Sequence, residues 1–470
     1  CLQTRYDFVA HRHGSAARTA RRLERRSRVG SLLARPVSGQ SMFGVRSWRP
    51  AASSVDLQRR PVMTDAPLDA RSQDEQTCSF AEATTLLHST SPSAQQAGLL
   101  NPPVHRASTI VYDRVEDYID RHRHLYDGVI YGLYGTETSH ALGNAIAQLE
   151  GGVRTVLTSS GTAAISLSLS AFLGAGDHLL VVDTVYRSTR RFCDEVLTKH
   201  GVEVSYFSPA IGSEIASLIR PHTRMIFLET PGSLTFELID VRAITTVARE
   251  QGILTALDNT WATPMLFRPI EHGVDISIAA ATKYLSGHSD VMLGAMTAAT
   301  ADIYKRLKDT AARWGSSASP DDCYLVHRGL RTLDVRLERH QRTALELAAW
   351  FETQPEVRRV LYPALPGDPS HSIWKRDFTG ASGLFGVLLD PMSATERAAL
   401  FNELSLFKLG SSWGGFESLM VPSWPAPTRS CSALDDGALI RVHAGLERGA
   451  DLICDLEQAF ARLRSVRVKI

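Results

Sequence analysis

The sequence predicts an α/β protein: a seven-stranded, mainly parallel sheet wrapped by helices, followed by a smaller α+β domain. Three observations carry that expectation. Between Ser139 and about Arg331, short apolar runs alternate with stretches of helical spacing, the pattern of strands joined by crossover helices. The residues with the most distinctive chemistry stand at the carboxyl ends of those runs, where open parallel sheets place ligands. From about Thr332 the composition changes to long amphipathic helix and isolated strands. The expected divisions are 1–75, an Arg-rich leader without a core; 76–135, an N-terminal arm; 136–331, the larger domain; and 332–470, the small domain.

In chain order, the first 62 residues carry thirteen Arg and no Lys against Asp7, Glu24 and Asp56, and show no periodic apolar spacing. Three readings of this leader stand side by side: an organelle transit peptide, a flexible basic arm, or upstream sequence that is not translated. The last is preferred, with Met63 as the start, because MTDAPLDARSQDE reads as an ordinary polar N-terminus and the chain opens on Cys1. The arm contains NPPVHRASTIVY from Asn101, whose prolines forbid helix and precede an alternating, strand-like stretch. EDYIDRHRHLYDG from Glu116 reads as a short polar helix or turn. The seven strand candidates begin at Val153, His178, Val202, Met225, Ile253, Ile276 and Met292. In the small domain, RLERHQRTALELAAWFETQ from Arg336 reads as a helix, LFGVLLD from Leu384 as a strand, and helix resumes at Ala394.

Composition narrows the function classes. A formal net charge of +1 gives no sign of a nucleic-acid or anionic-membrane partner. Cys1, Cys78, Cys193, Cys323, Cys431 and Cys454 are scattered without a CxxC, so neither a metal knuckle nor a disulfide framework is expected. No run of 18 apolar residues marks a membrane span. A cytosolic protein with reduced, buried thiols is the expectation, with organelle import if the leader is a transit peptide.

The chain is organised around DISIAAATKYLSGHSD from Asp275, where a buried-strand pattern delivers Lys283 just before a Gly-bearing turn. Upstream, ILTALDNTWATP from Ile253 ends a strand in Asp258. A strand-end lysine with a strand-end aspartate is the pair that pyridoxal phosphate (PLP) demands: an amine for its aldehyde and a carboxylate that keeps its ring nitrogen protonated. SSGTAAISLSLSAF from Ser159 follows one strand and opens a helix, so Gly161 and Thr162 are candidates for the cofactor phosphate. Arg441 lies mid-strand in LIRVHAGLE, where a fixed guanidinium would fork onto a substrate carboxylate. Glu229 of ETPGS and Asn259 are placed behind the contact residues, and His288 of GHSD reads as a hydrogen-bonded structural histidine rather than a base.

ATKYLSGHSD, with DNTWATP before it and SSWGGFESL and LIRVHAGLE after it, resembles the Cys/Met-metabolism family of PLP enzymes from roughly Thr85 onward. The resemblance implies the aminotransferase-like fold (type I), PLP as cofactor, and an amino-acid thioether as substrate. It also implies homotetramers built from dimers with shared sites. Tyr186 then matches the residue that stacks on the cofactor ring and, with Lys283, is assigned to catalysis; Thr282 gives its hydroxyl to the phosphate. Tyr131 matches an arm tyrosine that reaches the neighbouring subunit's phosphate, a packing tyrosine being the alternative. Two family phosphate contacts are missing: an Arg replaced by Leu133 and a Ser replaced by Ala280, with Arg106 a cation that could compensate. Ser412 and Trp413 fall on the substrate side, and Trp413 in SWGG points to β-elimination of L-cystathionine, unless it simply fills the cleft. The alternatives are γ-elimination or γ-replacement on the same cofactor and, more remotely, a PLP-binding regulatory protein of weak catalysis.

Overall fold

The computed structural model describes residues 81–423, 429–431 and 436–468. The leader, with its transit-peptide and start-site readings, lies outside the described residues, as do Cys1 and Cys78.

Seven strands form the first sheet: β1 Arg154–Thr158, β2 His178–Val182, β3 Glu203–Phe207, β4 Thr223–Glu229, β5 Leu254–Asp258, β6 Ile276–Ala280 and β7 Gly294–Ala298, in the order β1-β7-β6-β5-β4-β2-β3. β2, β3, β4, β5 and β6 pair in parallel, and β7 runs antiparallel between β6 and β1. The exception has a local cause. β6 and β7 are joined by a loop without a crossover helix, and parallel pairing requires such a crossover. The helices Gly161–Phe172, Val241–Glu250 and Ala301–Arg313 are among those that cover the sheet, and β2 is buried at every residue, as a strand with both faces covered must be.

Four antiparallel strands form the second sheet: β8 Val357–Leu361, β9 Leu384–Leu389, β10 Leu419–Ser423 and β11 Ala438–His443, in the order β10-β11-β9-β8. The helices Leu333–Glu352 and Gly449–Arg467 pack here, contributing Leu347, Phe351, Leu456 and Phe460 to the buried core. The expected α+β small domain is therefore present.

Two local expectations are corrected. The last strand of the first sheet opens at Gly294, not Met292. Thr282 takes the Leu293 backbone out of the ladder, accepting its N–H at 3.0 Å, and Met292 is left 65 % exposed at the rim of a cleft. The strand-like stretch after Pro103 forms no strand and pairs with none of the described strands; its Ser108 carbonyl instead accepts the Gly132 N–H at 2.8 Å.

One buried cation ties the two sheets' surroundings together. Arg336, 5 % exposed on the helix Leu333–Glu352, donates to the carbonyls of Tyr284 at 2.7 Å and Gly329 at 2.8 Å and to Thr332 Oγ1 at 3.1 Å. All three acceptors are neutral, and burial lowers its pKa to about 10. Arg336→Ala strands two buried carbonyls, so the expected loss is about 3 kcal/mol, read as a lower denaturant midpoint at unchanged slope. Arg336→Lys should recover only part of it, because an ammonium cannot reproduce the planar fork.

Candidate active site

The loop between β6 and β7 turns immediately after the strand, with Lys283 N–H bonded to the Ala280 carbonyl and Gly287 N–H to the Lys283 carbonyl. This turn aims the Lys283 side chain into a cleft of about 700 Å3 at the carboxyl ends of the parallel strands. Its Nζ donates to Ser412 Oγ at 2.7 Å and stands 5.2 Å from the centre of the Trp413 ring. Burial, helped by the Arg441 charge and opposed by the Asp258 charge, pushes the amine down to about 8. A lysine so placed is partly neutral near physiological pH.

Asp258 ends β5, on the strand next to β6, and is 8 % exposed. Thr260 orients it: the Thr260 N–H and hydroxyl both donate to Asp258 Oδ1, while the hydroxyl accepts the Ala280 N–H at 2.8 Å. Burial raises the Asp258 pKa, against those two hydrogen bonds and the Lys283 charge. Glu229 ends β4 in register with Asp258 and accepts the Tyr186 N–H at 2.7 Å. Burial and the neighbouring Asp258 push its carboxyl well above the usual range.

The helix Gly161–Phe172 presents its N-terminus to the same cleft. Ser160 caps it by accepting the Ala163 N–H at 3.1 Å, leaving the N–H groups of the first turn, at Gly161 and Thr162, for a ligand. A Cβ on Gly161 would lie 2.5 Å from Ala280 Cβ, so the helix reaches β6 only because one residue is Gly and the other small.

β11 and the segment Gly410–Gly415 close the cleft from the second sheet. Arg441, half-buried on β11, donates to the carbonyls of Gly410 at 3.1 Å and Ser412 at 3.0 Å. Two residues along the same face, His443 Nε2 accepts the Gly414 N–H at 3.1 Å. Gly414 has φ +83°, and a Cβ there would stand 2.8 Å from Tyr284 N, so this turn rides directly on the backbone of the lysine loop.

Of the residues expected from the sequence, Gly161, Thr162, Tyr186, Asp258, Thr282, Lys283, Trp413 and Arg441 line one cleft, and Ser412 touches it through Lys283. Tyr131 lies outside, 49 % exposed. The Thr282 hydroxyl is occupied by the Leu293 backbone. Arg106 is not in the cleft but forks onto Asp321, so within this chain it does not replace the arginine absent at Leu133. His288 is exposed, bonded to the Ser286 carbonyl at 2.6 Å, and away from the cleft; Asn259 is buried and donates to the Phe267 carbonyl. Sequence reasoning missed Thr260, although its place two residues after Asp258 is a common turn signal. It also missed Arg187, which lines the cleft beside Tyr186.

The donor set fits PLP: an amine of lowered pKa, a fixed carboxylate one strand away, and a capped helix N-terminus kept open by Gly161. Residues 83–461 match the family described as Cys/Met metabolism PLP-dependent enzyme. The chain is 43 % identical to a cystathionine beta-lyase of Salmonella typhimurium, over 78 % of this chain and 94 % of that protein. It is 42 % identical to an L-alanine/L-glutamate racemase of Wolbachia pipientis wMel, over 79 % and 95 %. A crystal structure of cystathionine gamma synthase from Xanthomonas oryzae pv. oryzae superposes with TM-score 0.76 at 29 % identity, covering 83 % of this chain and all of that one. The chain belongs to the Cys/Met-metabolism family of PLP-dependent enzymes.

Proposed function

We propose that this protein is a carbon–sulfur lyase that cleaves L-cystathionine and water to homocysteine, pyruvate and ammonia. The observation that carries the reading is the Lys283 amine, of lowered pKa, held between Ser412 Oγ and the Trp413 face in a cleft that also contains Asp258 and Arg441. Lys283 would hold the cofactor aldehyde, Asp258 its ring nitrogen, and Gly161 and Thr162 its phosphate, with Tyr186 as the aromatic wall. When bound, PLP supplies an electron sink for the charge left at Cα.

This chain's own residues then divide the work. Arg441 binds the substrate α-carboxylate; its guanidinium is already oriented by the Gly410 and Ser412 carbonyls, so little ordering remains to be done on binding. Lys283, neutral in part at pH 7 to 8, takes the Cα proton. Lys283 or Tyr186 protonates the departing thiolate. Trp413, Met292 and Leu409 give the thioether chain an apolar wall and keep water from the reacting carbon.

The same reading has the protein assembled as a homotetramer built from dimers with shared sites, Tyr131 reaching a neighbour's phosphate. The exposed apolar residues Val111, Val115, Ile119 and Tyr131 on the arm support it. A cytoplasmic setting is supported by the free state of the four described cysteines, Cys193, Cys323, Cys431 and Cys454.

Product identification tests the reaction: pyruvate and homocysteine from L-cystathionine are expected. 2-Oxobutyrate and cysteine would show γ-elimination instead, and conversion of L-alanine to its enantiomer without any keto acid would show a racemase. Lys283→Ala should lower turnover at least about 1,000-fold; an active variant would refute the assignment of the amine. In the cofactor-free protein, reductive labelling of Lys283 by a small aldehyde should rise with pH about a midpoint near 8. Arg441→Leu removes a like charge and should move that midpoint up, and Asp258→Asn removes an opposite charge and should move it down; peptide mapping across a pH series reads both.

A further inference from the structure

Three cations line the cleft. Lys283 and Arg441 have assigned partners. Arg187 does not: it follows Tyr186 at the start of the short helix Arg187–Phe192, is exposed, and among the described residues makes no hydrogen bond or ion pair. A long cation at a surface is ordinarily left to solvent. Arg187 differs in facing a ligand cleft whose two carboxyl groups are both committed elsewhere. Asp258 is held by Thr260 beside Lys283, and Glu229 accepts the Tyr186 N–H, with burial and the neighbouring Asp258 disfavouring its charged form. The charge of Arg187 is therefore uncompensated within the cleft.

Strand order says which end of a ligand it would meet. The helix N-terminus at Gly161 follows β1, at one side of the sheet, and touches Ala280 at the end of β6. Arg187 follows β2, three strand spacings from β6, roughly 14 Å at about 4.8 Å per strand. Asp258 and Glu229, at the ends of β5 and β4, lie between them. Arg187 thus stands on the far side of the cleft from the phosphate site, with Pro231, Leu234 and Leu409 lining the cleft as apolar surface for a carbon chain.

We infer that Arg187 is a specificity-determining residue that binds the distal carboxylate of the substrate, the one carried on the thiol half, so that the cleft selects dicarboxylic thioethers over those with a neutral tail. The inference rests on the lyase reading for its substrate class. A guanidinium forks onto a carboxylate through two parallel hydrogen bonds, and charge-assisted bonds of this kind discriminate by about tenfold even at a partly exposed site.

The test compares the holoenzyme with Arg187→Gln on L-cystathionine and on S-propyl-L-cysteine. The variant should lose about tenfold in kcat/KM for L-cystathionine, mainly through KM, and change by less than about twofold for S-propyl-L-cysteine. Added salt should raise the wild-type KM for L-cystathionine and leave that of the variant nearly flat. An equal loss on both substrates would overturn the proposal, as would no loss on either. So would an unchanged substrate ratio with weakened PLP affinity, which would place Arg187 on the cofactor phosphate. A calorimetric comparison separates this from failure of the lyase reading: 2-aminosuberate and 2-aminooctanoate carry no leaving group. Wild-type holoenzyme should bind the diacid about tenfold more tightly, and Arg187→Gln should lose the difference, whatever reaction the enzyme catalyses.

Discussion

The site depends on the contact between the lysine loop of the first sheet and the Gly410–Gly415 segment of the second. Gly414 lies so close to the backbone of Lys283 and Tyr284 that no side chain fits between them, and Ser412 receives the Lys283 amine across the same seam. Either half alone would leave an ordinary solvated lysine. Together they remove the amine from water, which penalises its charged form and brings its pKa to about 8. Arg441 and His443, two residues apart on one face of β11, hold the segment by its carbonyls and by one N–H. The residue proposed to bind the substrate carboxylate therefore also fixes the loop that positions the base.

Behind the lysine, the electrostatics are arranged by unequal hydrogen bonding. Asp258 and Glu229 leave adjacent parallel strands in register, and two buried carboxylates so placed cannot both ionise without cost. Asp258 has the Thr260 N–H and hydroxyl and the nearby Lys283; Glu229 has the Tyr186 N–H. These contacts favour the charged form of Asp258, which faces the proposed ring nitrogen, while burial and Asp258 push the Glu229 carboxyl well up as it holds the backbone of the aromatic wall. Thr260 makes this asymmetry, and it does so by bridging β6 to Asp258 through one hydroxyl.

Much of the architecture was legible because burial on both faces writes continuous apolar runs into the chain. All seven strand candidates became strands, their starts shifting by two residues or fewer. The shift at β7 is instructive: apolar pattern alone could not show that Thr282 would claim the Leu293 backbone and that Met292 would border a cleft. Nor could it show that β7 runs antiparallel, which follows from the missing crossover helix. The arm is the opposite case. Its alternating stretch has the pattern of a strand and no partner strand among the described residues, and a strand requires one.

By itself the sequence determined the fold class and the cofactor and nominated the residues proposed to carry its chemistry, because a strand-end Lys283, a strand-end Asp258, a Ser-Gly-Thr turn before a helix and a mid-strand Arg441 occur together in one order along the chain. Only the tertiary structure decided which of them act together. It joined Ser412, Trp413 and Arg441 to a lysine far earlier in the chain, moved His288 and Arg106 out of contention, and brought in Thr260 and Arg187. The reason is physical: the pKa of an amine, the ionisation of one of two carboxyls and the freedom of an arginine are set by neighbours across strands and between sheets, and neighbours of that kind leave no periodic trace along the chain.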